Sequence, residues 1–135
     1  MTIQGMSGLR HLALRVKDLA KSRGFYEGLF GMGVVWQPDP DNLYLSSGTD
    51  NLALHQIPKA DLPQYTGVGQ FMDHFGIVME SVEAVDRLYA HATQHEARIK
   101  QPPKRHRDGS YSFYLFDPDD NIIQVLYVPG LSNEG

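Results

Sequence analysis

Residues 9–32 read LRHLALRVKDLAKSRGFYEGLFGM, and the change of period inside this stretch decides the fold. From Leu9 to Val16 the sequence alternates, the two-residue period of a strand with one buried face. Asp18 then stands where a carboxylate can accept the orphan N–H groups of a helix start. Leu19, Ser22, Tyr26 and Leu29 recur at helical spacing, and Gly31 is a suitable stop. Three short strands are expected next, near 33–37, 42–47 and 51–57, parted by the turn sequences PDPD and GTD.

The same order starts again in the second half. Residues 72–79 (MDHFGIVM) read as a strand, Ser81 as a cap, and Val82, Val85, Tyr89 and Ala92 as one helical face. Each of these four lies 63 positions after its counterpart in the first helix. A strand near 97–101, a polar loop (PPKRHRDG), a strand at 111–116, the turn DPDDN and a strand at 122–128 complete the half. Residues 58–71 have two prolines, two glycines and no clean period, and read as a linker. The expected fold class is α+β: one domain over 1–135, made of two βαβββ modules at about 9–57 and 72–128.

The histidines follow this repeat. His11 and His74 are also 63 positions apart, each in the first strand of its half. His55 falls in the last strand of the first half, Gln124 in the last strand of the second. Strand parity puts His11 with Ala13 and Arg15, His55 with Ala53, and His74 with Gly76, so small neighbours leave room for a ligand. A lone strand histidine is ordinarily a hydrogen-bonded core or surface residue. Three at repeat-related positions, with an amide, form a candidate metal set: His11, His55, His74 and Gln124. Three imidazole nitrogens and one oxygen suit Zn, Ni, Fe or Mn better than Ca or Mg. His91 and His95 read as solvent-facing, and His106 as a surface or substrate-facing residue of a basic loop. Trp36, Tyr44, Tyr65 and Phe113 suit a pocket wall or, more commonly, a core.

Bulk properties bound the alternatives. The chain has 135 residues, 41% of them hydrophobic, enough for one ordinary core. The net charge of −4 argues against a broad nucleic-acid surface. There is no cysteine, which excludes disulfides and thiolate chemistry. No apolar run is long enough to span a membrane, and the first residues do not have the pattern of a signal peptide. A cytoplasmic protein without membrane or nucleic-acid partners is expected.

The stretch HLALRVKDLAKSRGFYEGLFGM (His11–Met32), the His74 strand and FDPDDNIIQV (Phe116–Val125) together resemble the vicinal oxygen chelate superfamily, also called the glyoxalase/bleomycin resistance/dioxygenase superfamily. The resemblance implies paired βαβββ modules forming an open cupped barrel around one divalent metal ion. It implies ligands from the first and last strands of each module, and carried over by position these are His11, His55, His74 and Gln124. It also implies a small-molecule substrate and a homodimer. The activity implied first is a glyoxalase I-like lyase or isomerase that chelates an oxygenated or carbonyl substrate. An extradiol-type ring-cleaving dioxygenase and a metal-free drug-binding protein of bleomycin-resistance type are the alternatives. Arg15, four residues after His11, matches an arginine that in glyoxalase I-like members holds an anionic part of the thiol cofactor. Two positions depart from the pattern. Gln124 replaces the usual glutamate, so the base must come from elsewhere, from His55 or a metal-bound hydroxide. Asp120 replaces the usual glycine of the last turn.

Overall fold

The computed structural model describes residues 4–5, 7–65 and 72–131. The chain divides into two compact units, Met1–Tyr65 and Thr66–Gly135. The first contains β1 (His11–Val16), α1 (Leu19–Phe30), β2 (Gly33–Asp39), β3 (Asn42–Ser46) and β4 (Asn51–Gln56). The second contains β5 (Phe75–Val78), α2 (Val82–Gln94), β6 (Arg98–Arg105), β7 (Tyr111–Phe116) and β8 (Ile122–Tyr127). The sheet orders are β1-β4-β3-β2 and β5-β8-β7-β6, the same topology twice. In each, the first and last strands pair in parallel and the others antiparallel. This is the expected α+β arrangement of two βαβββ modules. Each sheet is open and does not close into a barrel.

Local chemistry explains both helices. The Asp18 carboxylate accepts from Lys21 N, and Ser81 Oγ accepts from Ala84 N at 3.0 Å. Gly31 ends α1 in the left-handed region at φ 69°. The buried residues of α1 are Leu19, Ser22, Tyr26 and Leu29, the face expected from spacing. In α2 they are Ala84, Val85 and Ala92, while Val82 and Tyr89 are only partly covered. Leu14, Val16, Leu52 and Leu54 supply core side chains from the first sheet, and Phe113, Leu115, Ile123 and Val125 from the second. Their strand neighbours of opposite parity are the ones free for a site.

Three sequence boundaries move. The loop expected from Pro102 is in fact the end of β6, which runs to Arg105 along the edge of its sheet. An edge strand tolerates proline because its missing N–H can face away from the ladder, and the register shifts between Gln101 and Lys104. The strand expected at 72–79 spans only Phe75–Val78, so His74 immediately precedes it. Within the expected linker, Lys59–Gln64 forms a 3-10 helix, and 66–71 lie outside the described residues. Asp120 does take the left-handed conformation, at φ 67°. The turn around it is organised by buried Asp117, which accepts from Asp119 N, Asn121 N and Asn121 Nδ2, each at 2.9 Å. Arg98 adds an ion pair to Asp120 at 2.7 Å. Among the described residues no helix is long and apolar enough to cross a membrane.

Candidate functional site

The second module brings two of the expected residues into contact. His74 Nε2 lies 3.1 Å from Gln124 Oε1. Gln124 stands directly opposite Gly76 on β5, and the missing side chain there leaves space for the amide to reach His74 diagonally. A Cβ on Gly76 would also come within 3.1 Å of Leu126 Cδ2. Behind the pair, His74 Nδ1 meets the Asp73 carboxylate at 2.6 Å. Gln124 Nε2 donates to Ser112 Oγ at 3.1 Å, and Ser112 Oγ lies 2.7 Å from His106 Nε2. One hydrogen-bonded series thus runs Asp73, His74, Gln124, Ser112, His106.

The proton count along this series is informative. Both ring nitrogens of His74 face oxygen acceptors, and a neutral imidazole has only one N–H. The arrangement is satisfied when a positive centre, a second proton or a metal ion, sits at Nε2. It is satisfied in neutral form only if the Gln124 amide turns over, so that its NH₂ faces His74. Gln124 can therefore serve as an oxygen donor to a cation or as an N–H donor to a bare imidazole, depending on what occupies His74.

In the first module His11 Nδ1 pairs with Asn51 Oδ1 at 2.8 Å, and His55 Nδ1 with Asn42 Oδ1 at 2.6 Å. With Asp73 on His74, all three histidines have Nδ1 engaged by a side-chain oxygen. Nε2 is therefore the nitrogen each presents, the usual second-shell device for orienting a ligating imidazole. Yet His11 and His55 do not come together. In the parallel β1–β4 ladder His11 pairs with Asn51, whereas His55 pairs with Arg15. Four register positions separate them, about 13 Å along the strands at ~3.3 Å per residue. Each ring also leans towards its own cross-strand asparagine.

The register corrects the expected pairing of the halves. Phe75 pairs with Ile123 and Gly76 with Gln124, so position 74 stands level with 122. Matching His11–Asn51 to that level makes Ala53, not His55, the counterpart of Gln124. The four-donor set read from sequence thus loses His55, and a base acting on a substrate beside His11 cannot be His55 either. Among the described residues no three His, Cys, Asp or Glu side chains gather as a metal cluster. His55 belongs instead to an aromatic group, edge-on to Tyr44, which stacks on Trp36. Arg15 is exposed beside it and has no ion pair or hydrogen bond among the described residues. Phe113 is fully buried against Tyr89 of α2, so it is core and not a pocket wall.

Sequence reasoning missed Asp73, Ser112, Asn42 and Asn51. Asp73 adjoins His74 in the chain and was open to notice. The others are set by cross-strand register. It also left His106 aside, although this residue lines a cavity of about 520 Å³ with Lys104, Arg105, Arg107, Asp108, Ser110, Tyr114 and Gln124. The turn that closes the hairpin is held by Asp108, which accepts from Ser110 Oγ at 2.6 Å and Ser110 N at 2.9 Å. These bonds hold the Asp108 carboxyl below its ordinary value of 3.8. A lowered folded value contributes stability that is present above the unfolded value and lost as pH falls through the folded one. Amide-exchange protection at Ser110 should therefore be intact near pH 5 (about a unit above 3.8) and fall in acid below 3.8. Unchanged protection across that range would show that the carboxylate does not hold the turn.

The sequence profile of the Glyoxalase/Bleomycin resistance protein/Dioxygenase superfamily matches residues 8–125. The chain belongs to this superfamily. Solved structures with the same fold include a lactoylglutathione lyase from Agrobacterium tumefaciens, at 24% identity and TM-score 0.73, covering 92% of this chain and 96% of that one. A superfamily protein from Alicyclobacillus acidocaldarius matches at 24% identity and TM-score 0.72, over 98% and 100% of the two chains. A fosfomycin resistance protein from Listeria monocytogenes matches at 19% and TM-score 0.74, over 95% and 98%. Superfamily membership accounts for the twofold βαβββ repeat. At these identities the likeness speaks to fold, and the chemistry must be argued from this chain's own residues.

Proposed function

We propose that this superfamily member is a metal-dependent enzyme of glyoxalase I-like lyase or isomerase type, acting on a small oxygenated or carbonyl substrate. The observation that carries the reading is the His74–Gln124 pair. Two donors bonded to one ion at about 2.1 Å lie roughly 3.0–3.4 Å apart for octahedral to tetrahedral angles. Their observed separation is 3.1 Å. Asp73 fixes which imidazole nitrogen is presented, and Ser112, by accepting from the amide NH₂, turns Oε1 the right way. His11, with Nδ1 on Asn51, is the first module's donor.

This donor set is neutral, and Ala53 supplies nothing at the place matching Gln124. It suits Zn, Ni, Fe or Mn, held more weakly than by a carboxylate-containing set. A divalent ion supplies Lewis acidity, polarising substrate oxygens and stabilising developing negative charge. The protein's own part is orientation and proton handling. Gln124 cannot take a proton, so His106 is the imidazole we assign to that task, its Nε2 sharing a proton with Ser112 Oγ at the cavity wall. An extradiol dioxygenase is less well supported, because no carboxylate completes the two-histidine set that Fe(II) sites of that kind use. The missing fourth donor favours the metal-free binding protein as the second reading.

Metal titration of untagged protein decides between them. We expect one divalent ion per chain, loss of uptake in His74→Ala, and affinity about 10–100-fold weaker in Asp73→Ala. If His74→Ala binds as well as the parent, or the parent takes up no ion, the binding-protein reading replaces this one. Oxygen uptake with catechol in the presence of Fe(II) would instead establish the dioxygenase. We also propose a homodimer, because β2 is a sheet edge exposed throughout, with Val35 and Trp36 at 57% and 58%. Light scattering at micromolar concentration should give twice the chain mass.

A further inference from the structure

The cavity of the second module has a charge opposite to that of the chain as a whole. Its lining includes Lys104, Arg105 and Arg107 against one carboxylate, Asp108, in a protein of net charge −4. Two of these four charged groups are already committed. Arg105 donates to Gly109 O at 2.9 Å and lies 5.3 Å from the centre of the Tyr111 ring, so it braces the hairpin. Asp108 is engaged by the Ser110 hydroxyl and backbone N–H. Lys104 and Arg107 make no ion pair or hydrogen bond among the described residues. Arg98, on the same strand as Lys104, shows the contrast: it is neutralised by Asp120 at 2.7 Å.

Geometry keeps the free cations at the mouth of the cavity. His106 N donates to Ser110 O at 2.8 Å and Gly109 N to His106 O at 3.0 Å, closing a tight turn between β6 and β7. Below it, donors point in sequence towards the same space. Gln124 donates to Ser112. If Ser112 donates in turn to His106 Nε2, the neutral imidazole carries its proton on Nδ1, which has no hydrogen-bond partner among the described residues. The cavity thus offers an ammonium, a guanidinium and an imidazole N–H, with the amide and phenol of Gln124 and Tyr114 beside them. About 520 Å³ is room for a small metabolite. A guanidinium matches an oxyanion in fork geometry, and the polar lining disfavours an apolar guest.

We propose that this cavity binds a small oxyanion-bearing ligand, gripped by Lys104 and Arg107 and oriented by His106. This deepens the proposed function by giving its substrate an anionic group. It requires no metal, so it can be tested apart from that reading. The shared chemistry is the oxyanion, whose source is a phosphate, a phosphonate or a carboxylate.

The experiment is a ¹H–¹⁵N NMR titration of EDTA-treated protein with inorganic phosphate and separately with succinate, against sodium chloride at equal ionic strength. We expect saturable shifts confined to residues 104–110 and the Gln124 side-chain amide. Tighter phosphate binding would assign a phosphoryl or phosphonyl ligand, and tighter succinate binding a carboxylate; either supports the site. The double variant Lys104→Ala/Arg107→Ala should weaken the better ligand at least tenfold. Its urea midpoint should be unchanged, since neither side chain packs in the core. Linear shifts spread over all basic residues, or a double variant that binds like the parent, would overturn the proposal. Saturable binding here in a protein that takes up no metal would remove the metal reading and leave the anion site standing.

Discussion

Exchanging Gln124 for glutamate is expected to tighten divalent-metal binding by at least about tenfold, or ~1.4 kcal/mol. The amide offers an ion only a dipole. A carboxylate at the same reach from His74 would offer a full charge in a half-buried setting, where screening is weaker than in bulk water. The gain is net of a rearrangement that the hydrogen bonds make explicit. Ser112 Oγ now accepts from the Gln124 NH₂ group. Facing a carboxylate it must donate instead, and its contact with His106 is then satisfied only if His106 Nε2 carries the proton. Gln124→Glu should therefore also move the His106 ring ¹⁵N shifts in the absence of metal, which a change confined to the ion would not do. Competition against a chromophoric chelator measures the affinity. An unchanged or lower affinity would mean that the amide turns its NH₂, and not its oxygen, towards His74.

Truncating Phe113 to alanine should cost about 3–5 kcal/mol, as large aromatic deletions in a packed core do. The ring is wholly buried and meets Tyr89 of α2 edge-on at 5.2 Å between centroids. On β7 its cross-strand neighbour is Val125, also fully buried. It therefore joins the helix to the sheet, and no smaller side chain can reach across. Against a typical total of about 5–15 kcal/mol, such a loss leaves a marginal fold. The site should suffer with it, because Ser112 and Tyr114 flank Phe113 on β7 and point to the opposite face. Urea unfolding followed by circular dichroism should show a much lower midpoint. A cost under ~1 kcal/mol would mean that the interface between α2 and β7 repacks around the gap.

How far the sequence reached can be judged residue by residue. Strand alternation, helical spacing and the two caps are local properties, so Asp18, Ser81, Gly31 and the face Leu19–Ser22–Tyr26–Leu29 were all legible along the chain. The repeat was legible as well, because two modules that fold alike keep their apolar faces and cap residues at one offset. That offset placed His74 against His11 correctly. It failed at His55, because a sequence offset fixes neighbours along a chain, whereas a ligand set depends on neighbours across strands. Strand parity holds His55 on the right face of β4, but only the ladder register shows that it stands level with Arg15, with Ala53 in the place that mattered. The same limit hid the partners of the histidines. Asn51, Asn42 and Ser112 lie 40, 13 and 6 positions from the imidazoles they hold. Polar residues on a strand look alike in sequence whether they meet water or orient a ring. Lys104 and His106 were read as a solvated loop because two prolines normally end a strand. An edge position, which exists only once the sheet is assembled, let β6 continue and brought them to a cavity wall. Composition and period were enough to specify two βαβββ modules; which side chains share a site was decided by hydrogen-bond register between segments far apart in sequence.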